Sequence, residues 1–293
     1  MKKNTKPIVS VAIASLGRKS LNGAIKSLRE NISKKSQIII CLPQINERNV
    51  LKKFFYQCEI IFSKEKGQVP QRIKAFKKAK NQFVLQIDDD VRLDGNCLNQ
   101  LKNTLIKLGP KSAVSPVMCW EETKVPIAQF SKSIIRKTLE KIFKNKLRIL
   151  PGKISRLGTN PAPNIIKNQT DLIETEWLPG GCVFHYKKNL ILKNYYPFPG
   201  KAFSEDVMHS ILLRQRGIRL FVDPNAKIYL KKDPPIRLIR DKIYNIYAES
   251  RARRHILKML GWSSCLERIY TITLLLALPM RHWGSRKFKK SPK

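Results

Sequence analysis

Four short runs rich in β-branched residues, Ile8–Ala14, Gln37–Leu42, Glu59–Ser63 and Phe83–Ile87, punctuate the first third of the chain. Helical stretches at Leu21–Glu30, Asn46–Tyr56 and Gln71–Lys80 lie between them. Strand–helix alternation of this kind predicts a largely parallel, Rossmann-like α/β sheet flanked by helices. Such sheets bind ligands at the carboxyl ends of their strands. The fourth run ends there in three consecutive acids, Asp88, Asp89 and Asp90. Like charges at a strand end repel unless a cation sits against them.

The composition limits what that cation and its partners can be. A chain of 293 residues with 42% hydrophobic and 27% charged residues reads as globular. It carries 58 Lys+Arg against 21 Asp+Glu, a formal charge of +37, which attracts nucleic acid, anionic lipid and phosphorylated substrates alike. The six cysteines form no C-x-x-C pair and no His stands at metal spacing, which argues against a zinc site or a disulfide framework and for a reduced, cytoplasmic setting. Lys2 and Lys3 before an apolar run containing Ala12-Ile13-Ala14 superficially match a secretory leader. That run covers only Ile8–Ala14 and is interrupted by Ser10, so a strand is the better reading. No segment reaches the roughly 20 apolar residues needed to span a bilayer.

Beyond the aspartates the pattern changes. Residues 131–156 hold nine Lys/Arg and one acid, with Ile134, Ile135, Leu139, Ile142, Phe143 and Leu147 at helical spacing. This predicts a basic amphipathic helix, either packed on the core or touching a membrane or anionic acceptor. A Pro- and Asn-rich loop follows. A second α/β portion runs through "WLPGGCVFHY", "AFSEDVMHSILLRQRG" and "IRLFVDPNAKIYL", and the chain then turns helical and basic.

Closely spaced acids after a strand suit three chemistries. A calcium loop counted from Asp88 fails, because its fifth position is Arg92 and its twelfth Asn99. A phosphatase-type D-x-D-x-[TV] fails on Arg92 and on its place in the strand order. What remains is a divalent cation bridging a nucleotide diphosphate, with one or two carboxylates on the ion and phosphate oxygens completing its shell. A solvated acidic turn is the bland alternative.

"VSVAIASLGR", "KGQVPQRIKAFKKAKNQFVLQIDDDV", "WLPGG" and "FSEDVMHSILLRQRG", in this order and spacing, resemble a family-2 glycosyltransferase over roughly Ile8–Leu230. The resemblance implies a GT-A fold, a nucleotide-diphosphate sugar donor, Mn²⁺ or Mg²⁺, and inversion at the anomeric carbon. It places Asp88, Asp89 and Asp90 at the D-x-D position, with Asp88 near the ribose and Asp90, together with Asp88, toward the metal. It puts Ala14, Ser15 and Arg18 after the first strand against the nucleotide, and likewise Gln68 and Arg72, where Gly67 and a helix N-terminus favour an anion. Arg72 can equally be a surface helix residue. Asp206 of the Glu205-Asp206 pair becomes the general base and Glu205 orients the acceptor, although two acids can also simply cap a helix. Trp177, Gly180 and Gly181 fall on the acceptor and sugar side, with Trp177 alternatively core. His209, one turn on, is either an assistant or structural.

Two departures from the family pattern leave base identity and the metal shell open. Cys41-Leu42-Pro43 stands where many relatives carry an acid, and Tyr229-Leu230-Lys231 where some carry a His. The expected organisation is a nucleotide-sugar half at 1–125, an acceptor half at 126–235 and a basic helical tail at 236–293. The tail has fourteen Lys/Arg against three acids around the apolar run Ile269–Met280, with Trp262 and Trp283 beside it. It is expected to bind an anionic membrane surface peripherally from the cytoplasmic side, bringing a glycan or lipid-linked acceptor within reach; a buried core helix is the alternative. The rival functions are a nucleotidyltransferase of similar fold, which leaves Asp206 unexplained, and a nucleic-acid-binding protein, for which no recognition helix, RNP-like motif or zinc module exists.

Overall fold

The computed structural model describes residues 6–44, 57–127, 146–166, 169–232 and 238–278. The opening run is a strand, β1 (Ser10–Ala14), followed by α1 (Ser20–Asn31), β2 (Gln37–Pro43), β3 (Glu59–Ser63), α2 (Gln68–Lys78), β4 (Phe83–Asp88), β5 (Arg92–Leu93), α3 (Cys97–Leu108) and β6 (Ser112–Trp120). The second portion contributes β7 (Ile173–Thr175), β8 (Cys182–Tyr186), α4 (Glu205–Gln215), β9 (Arg219–Leu230), α5 (Ile239–Met259) and α6 (Cys265–Leu276). Among the described residues the strands form one nine-stranded sheet in the order β3-β2-β1-β4-β8-β6-β9-β5, with β7 also on β9. Pairing is parallel from β3 through β4 and between β6 and β9. β8 enters antiparallel between β4 and β6.

The period-two alternation of the strands sorts their side chains onto two covered faces. On one, Val11 and Ile13 pack with Leu21, Ile25 and Leu28 of α1 and with Leu98 and Leu101 of α3. On the other, Ala12, Ile39 and Val84 meet Ala75 and Phe76 of α2. β1 lies centrally, with Ala14 level with Cys41 of β2 and Asp88 of β4. Three strand ends therefore open on one edge of the sheet, and the acids stand at that edge.

One of the expected helices differs at its described end. The helix at Asn46–Tyr56 and most of the basic amphipathic helix at 131–156 lie outside the described residues. The described end of the latter, 146–156, is turn rather than helix. Pro151 and Gly152 break the helical spacing, Gly152 adopts φ +72 and Arg148 φ +54. Arg148 is held there by a bidentate bond to the buried carboxylate of Glu176. All six cysteines are free thiols.

The tail is a helical hairpin. α5 contributes Ala252 and Ile256 to a cluster with Val207, Met208 and Ile211 of α4. α6 then docks on α5.

Candidate active site

The site is built where β4 ends, α2 begins and α4 begins. Gly67 precedes α2 with φ +149, a conformation glycine adopts without strain. This starts the helix so that Gln68 and Arg72, one turn apart, point back to the sheet edge. Gln68 Nε2 donates to Asp88 Oδ1 at 2.9 Å, and Arg72 Nη2 donates to the same oxygen at 3.1 Å. Arg72 Nη1 donates to Glu205 Oε1 at 2.6 Å. A single guanidinium, only 1% exposed, thus joins the end of β4 to the first turn of α4. Burial works against its charge, but the Glu205 and Asp88 carboxylates outweigh that and keep it protonated.

The turn "LPGG" closes the junction from a third side. Gly180 O accepts from Gln86 Nε2 of β4 at 2.7 Å, and Asp88 N–H donates to Gly181 O at 3.0 Å. A Cβ on Gly180 would lie 2.7 Å from Glu205 Oε1 and 3.2 Å from Asp206 Cβ, so only glycine admits the acid pair this close. Ser210 of α4 accepts from Leu178 N–H at 3.0 Å and donates to Asp206 O at 2.7 Å, pinning turn and helix together. Just before the acids, Ser204 sits in the left-handed region at φ +53, a conformation a serine holds only under tertiary constraint.

Asp206 is half-buried, and its Oδ1 accepts from Val207 N–H at 2.9 Å. Burial and the neighbouring Glu205 charge push its carboxyl up to about 7, against the pull of the Val207 and Gly180 amides. Burial likewise raises Asp88 to about 6, partly offset by Arg72. Ser15, 4% exposed, donates to Asp89 through its hydroxyl, and its Oγ accepts from Gly17 N–H at 2.9 Å. Ala14 and Ser15 therefore stand beside the acids, and Arg18 is exposed on the loop beyond them. Asp90 is exposed, and its charge reaches Asp88.

The geometry bears on three of the sequence readings. Arg72, read as an anion contact, is enclosed by two carboxylates and is neither a surface residue nor open to a nucleotide. Glu205 is 4% exposed, with Oε1 accepting from Arg72 and Oε2 accepting from Tyr195 OH at 3.0 Å, so both carboxylate oxygens are engaged within the protein. Trp177 is core: at 7% exposure it packs with Val69, Ile73 and Val207, and its Nε1 donates to Pro161 O at 3.2 Å. His209 is structural as well. It is stacked on Tyr195 and edge-on to His185, and burial drives it down to about 3, so it is neutral.

Sequence reasoning missed Gln71, Gln86 and Tyr195. Gln71, 2% exposed, donates to Ser15 O at 2.9 Å and to Cys41 O at 2.7 Å, fastening α2 to the ends of β1 and β2. A buried-polar spacing within α2 (Gln68, Gln71, Arg72 on one side) was the available signal for it. Tyr195 lies in an irregular loop and gives no periodic signal.

For a divalent cation, the donors are oxygens only. Asp88 Oδ1 is engaged, while a Cβ on Gly181 would lie 3.8 Å from Asp88 Oδ2, so glycine keeps the space beside that second oxygen clear. Among the described residues no three His, Cys, Asp or Glu side chains form a closed metal cluster. Two carboxylates, Asp88 and exposed Asp90, with the remaining shell left to phosphate and water, fit Mg²⁺ or Mn²⁺.

Residues 10–157, about half of the chain, match the family model "Glycosyl transferase family 2". The fold resembles that in a crystal structure of GalNAc-T7 with UDP, GalNAc and Mn²⁺, with a TM-score of 0.58 and 14% identity over 79% of this chain and 45% of that one. It also resembles S. aureus TarS, with a TM-score of 0.49 and 14% identity over 86% and 42%. The chain thus spans less than half the length of either protein. No curated protein matches the sequence.

Proposed function

The chain belongs to glycosyl transferase family 2 and has a GT-A-like α/β fold with a helical extension, and from that premise we propose that it is an inverting, metal-dependent transferase. It would move a sugar from a nucleotide-diphosphate donor to a hydroxyl of a glycan or lipid-linked acceptor. One observation carries this reading: carboxylates from the end of β4 and the start of α4 converge on Arg72, with a glycine turn between them.

In this reading Asp206 accepts the acceptor hydroxyl proton as that oxygen attacks the anomeric carbon. The new C–O bond forms as the bond from carbon to the diphosphate oxygen breaks, and the electron pair leaves with the nucleotide. A single displacement inverts the anomeric centre. A carboxyl raised to about 7 suits a base working near neutral pH. Asp88 and Asp90 would hold the cation, which when bound neutralises charge on the leaving diphosphate. Asp89, fixed by Ser15, and the Ala14–Arg18 turn would face the nucleotide, with Gln68 orienting Asp88. Gly180 and Gly181 would leave room on the sugar side, and Glu205 and Arg72 act as positioning residues.

The proposed setting is the cytoplasmic face of a membrane. A formal charge of +37 supports an anionic surface, and no described helix is long and apolar enough to cross a bilayer.

Hydrolysis of a panel of nucleotide sugars, with and without Mn²⁺ or Mg²⁺, tests the reading. Metal-dependent turnover of at least one donor is expected; release of pyrophosphate from a nucleoside triphosphate instead would favour a nucleotidyltransferase. Calorimetry with Asp90→Ala narrows it further. Asp90 is exposed, so the variant should fold normally yet lose metal-dependent binding of a nucleoside diphosphate. Unchanged affinity would move the cation away from Asp90.

A further inference from the structure

α6 is held to the protein by its polar side. Its buried residues are Glu267, fully enclosed, and Thr271 at 6%. Glu267 accepts from Arg253 Nε at 3.1 Å and from Ser250 Oγ at 3.2 Å of α5, and Thr271 accepts from Arg253 Nη2 at 3.2 Å. The opposite side carries Leu266, Ile269, Ile272 and Leu276, at 49%, 61%, 56% and 72% exposure. These positions recur every three or four residues and form one apolar stripe. The helix is inside out for a water-facing element: its one acid, Glu267, is buried and its aliphatic residues are not. Because the ionic contacts fix the rotation of α6, the stripe cannot turn inward without breaking them. α5 presents Tyr244 and Tyr247, each 57% exposed, on a different side, where Arg251 lies over the Phe198 ring at 4.6 Å, so they are not part of this stripe.

We infer that this outer face of α6 is a docking surface for an anionic lipid bilayer, with the helix lying in the plane of the interface. The twelve residues of α6 span about 18 Å, too short to cross but sufficient for an interfacial helix. The sequence from 281 to 293 contains six Lys/Arg and no acid, which supplies the attraction to negative headgroups. A second copy of the chain is the poorer occupant, since two surfaces of molecules each carrying +37 repel. The surface rests on the proposed function only for what it would serve, delivery of a lipid-linked acceptor; its geometry stands apart from the reaction.

The test is sedimentation of the full chain with phosphatidylcholine vesicles, with and without phosphatidylglycerol, at low and high salt. Wild type should sediment with the anionic vesicles and be released by salt. Ile269→Ser/Ile272→Ser changes no charge and touches only exposed positions. It should keep the circular dichroism and melting of wild type while binding about tenfold more weakly or worse. Wild type remaining in the supernatant would overturn the inference, as would equal binding by the double variant. So would light scattering that shows a wild-type dimer dissociated by the substitutions. Nucleotide-sugar hydrolysis without vesicles should be equal in both proteins. Its absence from both, with vesicle binding still lost only in the variant, would overturn the reaction and support the surface.

Discussion

Asp206→Asn is expected to bind the nucleotide-sugar donor as wild type does and to lose transfer by about 10²-fold or more, the usual scale for a general base. The amide can still accept the Val207 N–H bond, so the first turn of α4 keeps its shape. In wild type, kcat/KM should fall as pH drops through about 7, because the protonated carboxyl cannot take the hydroxyl proton. The residual activity of the variant should lack that limb. Stability should move the other way. A folded-state value above the ordinary 3.8 means that, between about 4 and 7, the folded protein holds a proton that the unfolded chain has released. Asp206 therefore lowers stability as pH rises through that window, an effect complete above it. Asparagine has no charge to desolvate, so the variant should melt at or above the wild-type temperature at pH 8, as expected where an active site trades stability for chemistry. Initial rates across pH, calorimetry with donor and a thermal melt decide it. Turnover near wild type would move the base elsewhere, and a lower melting temperature would mean that burial of Asp206 carries no cost.

The sequence was legible where a structural choice is local. Gln37–Pro43 centres on three isoleucines and is buried from Ile38 onward, and a strand covered on both faces needs little else to be recognised. The edge strand Glu59–Ser63 is only half-buried but carries Ile60 and Ile61. Asp88 to Asp90 were readable as a site because like charge at a strand end is costly wherever the chain goes. Contacts set by tertiary structure were not readable. Arg72 and Glu205 are 133 residues apart, and nothing near either residue says that they touch. The same holds for Gln71, whose two backbone acceptors lie 56 and 30 residues away. At 146–156 the apolar spacing pointed to a helix, but Pro151, Gly152 and the Arg148–Glu176 bond override it. At Ile269–Met280 the residue types located an apolar run but not which way its side chains face. That was decided by Arg253, which draws Glu267 and Thr271 inward and leaves the leucines and isoleucines outside.

Arg72→Met should be the most destabilising single change in the site. The substitution nearly preserves side-chain volume, so cavity formation contributes little. What it removes is the positive charge between Glu205 and Asp88, both shielded from water on the Arg72 side. Breaking one partner out of a buried ion network typically costs about 3–5 kcal/mol, because the remaining charges stay desolvated. For a chain of this size that corresponds to a fall in Tm of roughly 10 °C. The deficit should depend on pH with a definite sign. Asp88, already raised to about 6 by burial, loses the Arg72 charge that offsets it, so protonation favours folding and the gap to wild type narrows as pH falls from 7 toward 5. Adding Glu205→Gln should recover much of the loss at pH 7, since one uncompensated charge is then gone and the amide can still accept from Tyr195 OH. Thermal melts of wild type, the single and the double variant at both pH values read all of this. A single variant that melts with wild type would mean that the bridge contributes nothing to the fold. A double variant no better than the single would assign the loss to packing around residue 72 rather than to the carboxylates it joins.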